Sequence, residues 1–259
     1  MLRAVYLDLD GTLFGRGASL LRDGDGAFTL TGARALEACQ RAGAEVVLYS
    51  GRRRDMLFED ARVLGVTAYA FEAGAGVVID GETTWLTGDL QPQPDASVHD
   101  QITASGAPAL LLERFAGRLE YHEPWHLGRE VSHLFRGELD AAEADALLAE
   151  NGLGHLRMVD NGPVRRGHAF HLVPRTVSKA GAVAFHMRVR GLAPQDCIAV
   201  GDSPEDMGTA AAVRTFWMVA NGAAAVPRPP NVRVAEASHG AGVYEAVMTE
   251  LAERRAFSG

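Results

Sequence analysis

Apolar runs of strand length alternate with helical patterns along this chain, and several of the runs end abruptly in polar residues. Ala4–Leu7, Glu45–Tyr49, Ala68–Phe71 and Cys197–Val200 read as buried strands. Helical patterns cover Thr31–Arg41, about Arg53–Leu64 and a run from about Lys179 to Arg190. This alternation predicts a parallel sheet with helices on both faces, an α/β fold of the doubly wound, Rossmann-like kind. In such sheets ligands bind beyond the carboxyl ends of the strands. Three of the ends carry chemistry: Asp8-Leu9-Asp10-Gly11, Ser50-Gly51-Arg52, and Gly201-Asp202-Ser203-Pro204-Glu205-Asp206.

Two carboxylates at the close of a buried strand need a cation or a task, because an unpaired buried charge is expensive. Asp8 and Asp10 are two apart and point to the same side of an extended chain, so they can converge on one site. Gly11 permits a sharp turn with its amides facing an anion. Asp202 and Asp206 bracket a helix start in which Pro204 suits the first turn. Lys179 opens a helix, where a cation opposes the macrodipole, and this favours a functional role for it over a solvated one.

Asp8-Leu9-Asp10-Gly11-Thr12-Leu13 resembles the first motif of the haloacid dehalogenase-like phosphatases. Ser50, with Gly51, resembles the second motif, Lys179 the third, and the run from Gly201 to Met207 the fourth. The resemblance implies a phosphoric monoester hydrolase in which Asp8 attacks phosphorus and Asp10 acts as acid and base. It further implies that Ser50, Gly51 and Lys179 hold the phosphoryl group, and that Asp8, Asp10 (through its carbonyl), Asp202 and Asp206 hold Mg²⁺. Three departures stand out. Glu205 replaces the usual Asn, and either adds charge near the metal or points away. Gly208-Thr209 replaces Met-Leu, and Glu72-Ala73-Gly74 stands where related chains carry Glu-Asn-Gly.

Between Asp10 and Ser50 there is room for one helix and one strand, whereas about 130 positions separate Ser50 from Lys179. An inserted α/β cap therefore fits only in the second gap. That layout is similar to the Cof-type and sucrose- or mannosylglycerate-phosphatase-like branch, with a class IIB cap. The expected division is a core of residues 1–85 and 167–259 and a cap of residues 86–166, entered through the Pro-rich Gln91–Pro94. Within the cap the patterns predict a helix over His99–Phe115, strands at Leu119–His122, Glu130–Phe135 and Leu156–Val159, and a helix over Asp140–Glu150. Arg129, His133, Arg165, Arg166 and His168 are the candidates to reach the substrate from the cap, arginine being suited to carboxylates and phosphates. The Gly-rich Phe14–Phe28 reads either as a flap over Asp8 or as a surface insertion. An Ala-rich loop spans Gly222–Pro230, and a helix over Gly242–Arg254 closes the chain.

The net charge of −8 argues against a nucleic-acid partner, which calls for a basic face. No apolar run approaches the ~20 residues that cross a bilayer, and Met1-Leu2-Arg3 leads straight into the first strand without a signal-peptide pattern. Cys39 and Cys197 have no metal-like spacing and suit a reducing cytoplasm. The expected function is Mg²⁺-dependent hydrolysis of a small phosphorylated metabolite, a sugar phosphate or a phosphoglycerate-type compound, by a monomer or small homo-oligomer. The alternatives are a sugar phosphomutase of the same superfamily and a non-catalytic phospho-receiver or binding module.

Overall fold

The computed structural model describes residues 1–222 and 227–256; residues 223–226 of the Ala-rich loop, and 257–259, lie outside the described residues. Among the described residues the first seven strands are β1 Ala4–Leu7, β2 Glu45–Tyr49, β3 Ala68–Phe71, β4 Gly76–Ile79, β5 Glu82–Trp85, β6 Leu119–Tyr121 and β7 His133–Gly137. Five follow: β8 Leu156–Pro163, β9 His168–Pro174, β10 Cys197–Gly201, β11 Thr215–Met218 and β12 Val232–Val234. The α-helices are α1 Thr31–Arg41, α2 Arg54–Leu64, α3 Val98–Ala104, α4 Ala107–Arg114, α5 Ala141–Glu150, α6 Lys179–Arg190, α7 Pro204–Met207 and α8 His239–Ala256.

The large sheet has the order β12-β11-β10-β1-β2-β3-β4-β5. Its strands run parallel from β12 to β3, and β4 and β5 return antiparallel through a turn at Asp80 and Gly81, both at positive φ as a tight hairpin requires. The central strand alternates between two apolar layers. Val5 and Leu7 pack with Leu36, Leu57 and Val247 on one face, and Ala4 and Tyr6 with Val183 and Met187 on the other. Each layer is closed by helices, which is the α/β architecture the alternation implies.

A second sheet, β6-β7-β9-β8, is antiparallel throughout. Its own core joins Phe135, Phe170 and Leu172 to Ile102, Leu111 and Leu148 of the helices beside it and to Phe115, which follows α4. β9 lies beyond Arg166, where the sequence reading ended the insertion, yet pairs along its length with β7 and β8. We propose that the inserted unit runs on to Pro174.

Two elements differ from expectation. The helix over His99–Phe115 is broken into α3 and α4 at Gly106, whose φ of +79° the right-handed helix does not admit. The strand expected at Glu130–Phe135 starts only at His133, because the amides of Glu130, Val131 and Ser132 are taken by the side chain of Glu72.

Candidate active site

β1 lies between β10 and β2 in the large sheet, so the carboxyl ends of these three strands are neighbours although they are remote in sequence. Asp8 follows β1, Ser50 follows β2 and Asp202 follows β10. The amide of Asp8 donates to the carbonyl of Val200 at 3.1 Å and so extends the ladder up to the site. The backbone then turns at Gly11, φ +83°. A Cβ there would come within 2.3 Å of Asp202 Oδ2, so the turn needs glycine for its conformation and for its clearance.

Lys179 arrives from the first turn of α6, whose start is fixed by Ser178 accepting from the amide of Gly181. Gly74 permits this approach, since a Cβ there would lie 2.3 Å from the carbonyl of Ser178. The Lys179 ammonium is buried between two carboxylates, donating to Asp8 Oδ1 at 2.9 Å and to Asp206 Oδ1 at 2.5 Å. It also lies 5.2 Å from the centre of the Tyr49 ring. The other oxygen of Asp206 accepts from the amides of Asp202 (3.2 Å) and Ser203 (3.0 Å) and from the Ser203 hydroxyl (2.7 Å). With Ser203 as its partner this is a capping box, which shapes the loop carrying Asp202. Thr12 donates to Asp202 Oδ1 at 3.2 Å.

Asp8, Asp202 and Asp206 each offer an oxygen, and these oxygens lie within 4.8 Å of one another. Burial lifts the Asp8 carboxyl well above the usual carboxylate range; Lys179 opposes the rise, and Asp206 and Asp202 add to it. Burial, and then the charge of Asp206, push Asp202 up to about 7. One ammonium thus faces three carboxylates. An all-oxygen set short of positive charge suits a hard divalent cation.

The remaining motif residues lie on the same rim. Ser50 is buried, and its hydroxyl accepts from the amide of Arg52 at 3.2 Å. Both Asp10 oxygens are held by Arg52, at 2.7 Å from Nε and 2.6 Å from Nη2, while Arg52 Nη1 donates to Asp60. Arg52 stands in the punctuation after β2, but its hold on Asp10 depends on a side-chain path that the sequence does not display.

Between the two sheets lies a cavity of about 320 Å³ whose wall includes Asp8, Asp10, Ser50, Gly51, Lys179, Asp202 and Asp206. Ala18 of the Gly-rich segment also lines it. From the second sheet and its loops come His122, Trp125, Arg129, Leu134, Asn161, Val164, Ala169 and His171. Only Arg129 of the five expected cap residues is among them. Its guanidinium is already engaged with the carbonyls of Trp125 and Gly51 and the hydroxyl of Ser132.

The other four are placed elsewhere, His133 and His168 by strand register and Arg165 and Arg166 by the loop between β8 and β9. In β7 and β9, Leu134 and His171 are cross-strand partners on the cavity face. His133 and its partner Leu172 therefore point to the helix side. His133 stacks there on His99 at 3.8 Å, and burial and the charge of His99 lower its pKa to about 4. His168 pairs with Asp160 at 2.8 Å. Arg165 and Arg166 line a separate surface depression with Arg118 and Arg136. Glu205 turns away from the three carboxylates and meets Arg157 of β8 at 2.9 Å, linking α7 to the second sheet.

No family model matches this chain. It is 28% identical over 210 residues to a phosphoglycolate phosphatase of Methanoculleus marisnigri, covering 80% of this chain and 79% of that protein. A phosphoglycolate phosphatase of Halorubrum lacusprofundi is likewise 28% identical, over 237 residues, covering 91% and 92%. Among solved structures, the sucrose-phosphatase of Synechocystis, crystallised with sucrose and phosphate, superposes with a TM-score of 0.67 at 16% identity, covering 96% of this chain and 98% of its own. A phosphatase of the haloalkanoate enzyme superfamily from Bacteroides thetaiotaomicron gives a TM-score of 0.68 at 14% identity, covering 96% and 95%. At these identities the structural likeness speaks for the fold. Among the described residues no helix is long and apolar enough to cross a membrane.

Proposed function

We propose that this chain, a haloacid dehalogenase-like phosphatase, hydrolyses a small phosphate monoester with the help of Mg²⁺ and through a covalent intermediate on Asp8. The observation that carries the proposal is the meeting of Asp8, Asp202, Asp206 and Lys179 at the floor of one cavity, with Ser50 and Asp10 on its rim. Uncatalysed phosphate monoester hydrolysis is extremely slow, and most of what a protein can supply is charge neutralisation and positioning.

In this reading an Asp8 oxygen attacks phosphorus, and one difficult displacement becomes two easier ones. Lys179 draws electron density from the equatorial oxygens and holds Asp8 in line through its 2.9 Å hydrogen bond. Ser50 and the amides that follow Asp8 receive the other oxygens. Asp10 gives a proton to the leaving oxygen and then takes one from the water that cleaves the acyl phosphate. That role requires Arg52 to turn from Asp10, and the incoming phosphoryl group is the anion that competes for it. Asp8, Asp202 and the carbonyl of Asp10 would hold Mg²⁺, with Asp206 behind them. When bound, the ion offsets the carboxylates and the phosphate charge.

The cavity suits a compact metabolite, a sugar phosphate or a phosphoglycerate-type compound, and the names of the two curated relatives add 2-phosphoglycolate to the compounds to be assayed. Cys39 and Cys197, buried free thiols in opposite layers of the core, are in keeping with a reducing cytoplasm. A panel of phosphorylated metabolites assayed for phosphate release tests the reading. Release with Mg²⁺ and silence in chelator are expected; undiminished hydrolysis in chelator would refute the metal-dependent mechanism.

Two further outcomes follow from the geometry. The Asp202 carboxyl, at about 7, sits above its unfolded value. In metal-free protein its contribution to stability is therefore greatest below the unfolded pKa and is lost as pH rises through 7. A cation binding the ionised form restores it, so Mg²⁺ should raise Tm more at pH 8 than at pH 6, as read by calorimetry. Equal shifts would contradict the assignment. Gly11→Ala must displace Asp202, 2.3 Å from the new Cβ. We expect kcat to fall about 100-fold, the scale of a 1 Å misplacement of a catalytic group. Unchanged kcat would show that Asp202 need not stay where it is.

A further inference from the structure

His171 is buried in the second sheet but lies on the cavity face of β9, beside Gly51 and Ser50. Its Nε2 lies 2.7 Å from the point a Cβ on Gly51 would occupy. That ring edge therefore faces the space directly over the phosphoryl-binding turn.

The protonation of the ring is fixed from behind. Glu72 Oε2 accepts from the Ser132 hydroxyl at 2.7 Å, and a carboxylate that also takes the amides of Glu130, Val131 and Ser132 is an acceptor only. The Ser132 proton is thereby committed to Glu72. Ser132 Oγ then accepts twice, from Arg129 Nη1 at 3.1 Å and from His171 Nδ1 at 3.1 Å. His171 Nδ1 must carry the proton, which leaves Nε2 with a bare lone pair. Burial, together with the charges of Arg129, Lys179 and His122, holds the ring pKa well below the ordinary histidine value, so the ring is neutral. Among the described residues no side chain or backbone group satisfies Nε2. The Asn161 amide nitrogen lies 3.0 Å from the same point over Gly51.

We propose that His171 Nε2 is a specificity-determining acceptor that selects phosphate monoesters whose leaving group carries a free hydroxyl near the ester oxygen. A hydroxyl can donate to this nitrogen. A carboxylate or a second phosphate placed there would meet a lone pair, and a methylene would leave it unsatisfied. The inference rests on the phosphatase reading and narrows it. It favours glycerol phosphate, phosphoglycerate or sugar phosphates over 2-phosphoglycolate, which has no hydroxyl.

Matched substrate pairs with Mg²⁺ test it: glycerol 3-phosphate against propane-1,3-diol monophosphate, and 3-phosphoglycerate against 3-phosphooxypropanoate. The protein should prefer the hydroxylated member by at least about tenfold in kcat/KM, the scale of one unmatched polar group. His171→Leu should bring the ratio within each pair to within about threefold. Ser132→Ala frees the tautomer without touching the cavity and should erode the ratio in the same direction. Long-range ¹H–¹⁵N spectra of the protein without substrate should show His171 with a protonated Nδ1 and a bare Nε2, a readout that needs no turnover. Equal hydrolysis within the pairs, or a protonated Nε2, overturns the assignment and leaves the phosphatase reading standing. Absence of phosphate release from every compound, including a generic aryl phosphate, overturns both.

Discussion

Asp8→Asn should abolish phosphate release, lowering turnover by about 10⁴-fold or more, because on the proposed mechanism the substitution removes the attacking oxygen while keeping the shape of the side chain. The proposed mechanism predicts a phosphoenzyme that acid quenching traps in the parent protein and that vanishes in the variant. The same substitution should leave the metal-free protein no less stable. Asp8 is buried against Asp202 and Asp206, and its carboxyl is held well above the usual range. An amide in its place ends that repulsion, while Lys179 keeps Asp206 as an anionic partner. We expect Tm in chelator to rise by about 2–4 °C, the shift that about 1 kcal/mol produces at this chain length. Loss of function with gain of stability is the mark of a site whose charges are arranged for chemistry. Robust turnover by the variant would remove Asp8 from the role of nucleophile.

The parts of the site that were legible in the sequence are those at the ends of core strands. Asp8, Ser50 and Asp202 each stop an apolar run, and the fold rule for parallel sheets sends all three to one edge. What the sequence withheld was the strand order. The placement of β1 between β10 and β2 makes Asp8 the neighbour of both Ser50 and Asp202, which are remote from each other in sequence.

The cap was less legible because its sheet is covered on both sides. Alternation divides β7 into His133 and Leu134 faces and β9 into His168 and His171 faces, but it does not say which face meets helices and which meets the cavity. The candidates His133 and His168 lie on the helix-facing register. The cavity received Leu134 and His171. Arg129, suited by its guanidinium to anions, does line the cavity, yet three neutral acceptors already use that guanidinium. Glu205 had two readings, and its partner Arg157, on a strand 48 positions away, decides for the one that points from the carboxylates.

Glu72→Ala should be among the most damaging substitutions remote from the reacting atoms. Glu72 sits in the turn after β3 with φ +46°, followed by Ala73 at +60° and Gly74 at +93°. A run of left-handed residues is costly for L side chains, about 1–2 kcal/mol each outside glycine, so something must over-determine it. The compensation is visible. The fully buried carboxylate accepts from the amides of Glu130 (2.9 Å), Val131 (3.3 Å) and Ser132 (2.7 Å) and from the Ser132 hydroxyl (2.7 Å), with Arg129 at 3.9 Å. One core side chain thus delays the start of β7 to His133 and pins the loop before it. Removing it leaves a buried guanidinium without its anion and several donors without acceptors. Breaking a buried pair costs about 3–5 kcal/mol, which lowers Tm by about 6–20 °C at about 2–4 °C per kcal/mol for a chain of this size. Glu72→Gln retains an oxygen acceptor but turns an amine toward the same amides, and should fall between the two. Hydrogen exchange distinguishes a local from a general effect: the amides of residues 130–132 should lose protection before those of β1 and β10, since water entering the seam between the sheets can rescue the donors there without melting the core. A Tm within 2 °C of the parent would mean that the amides find other acceptors and that the left-handed turn is held by the packing of Phe71 and Gly74 instead.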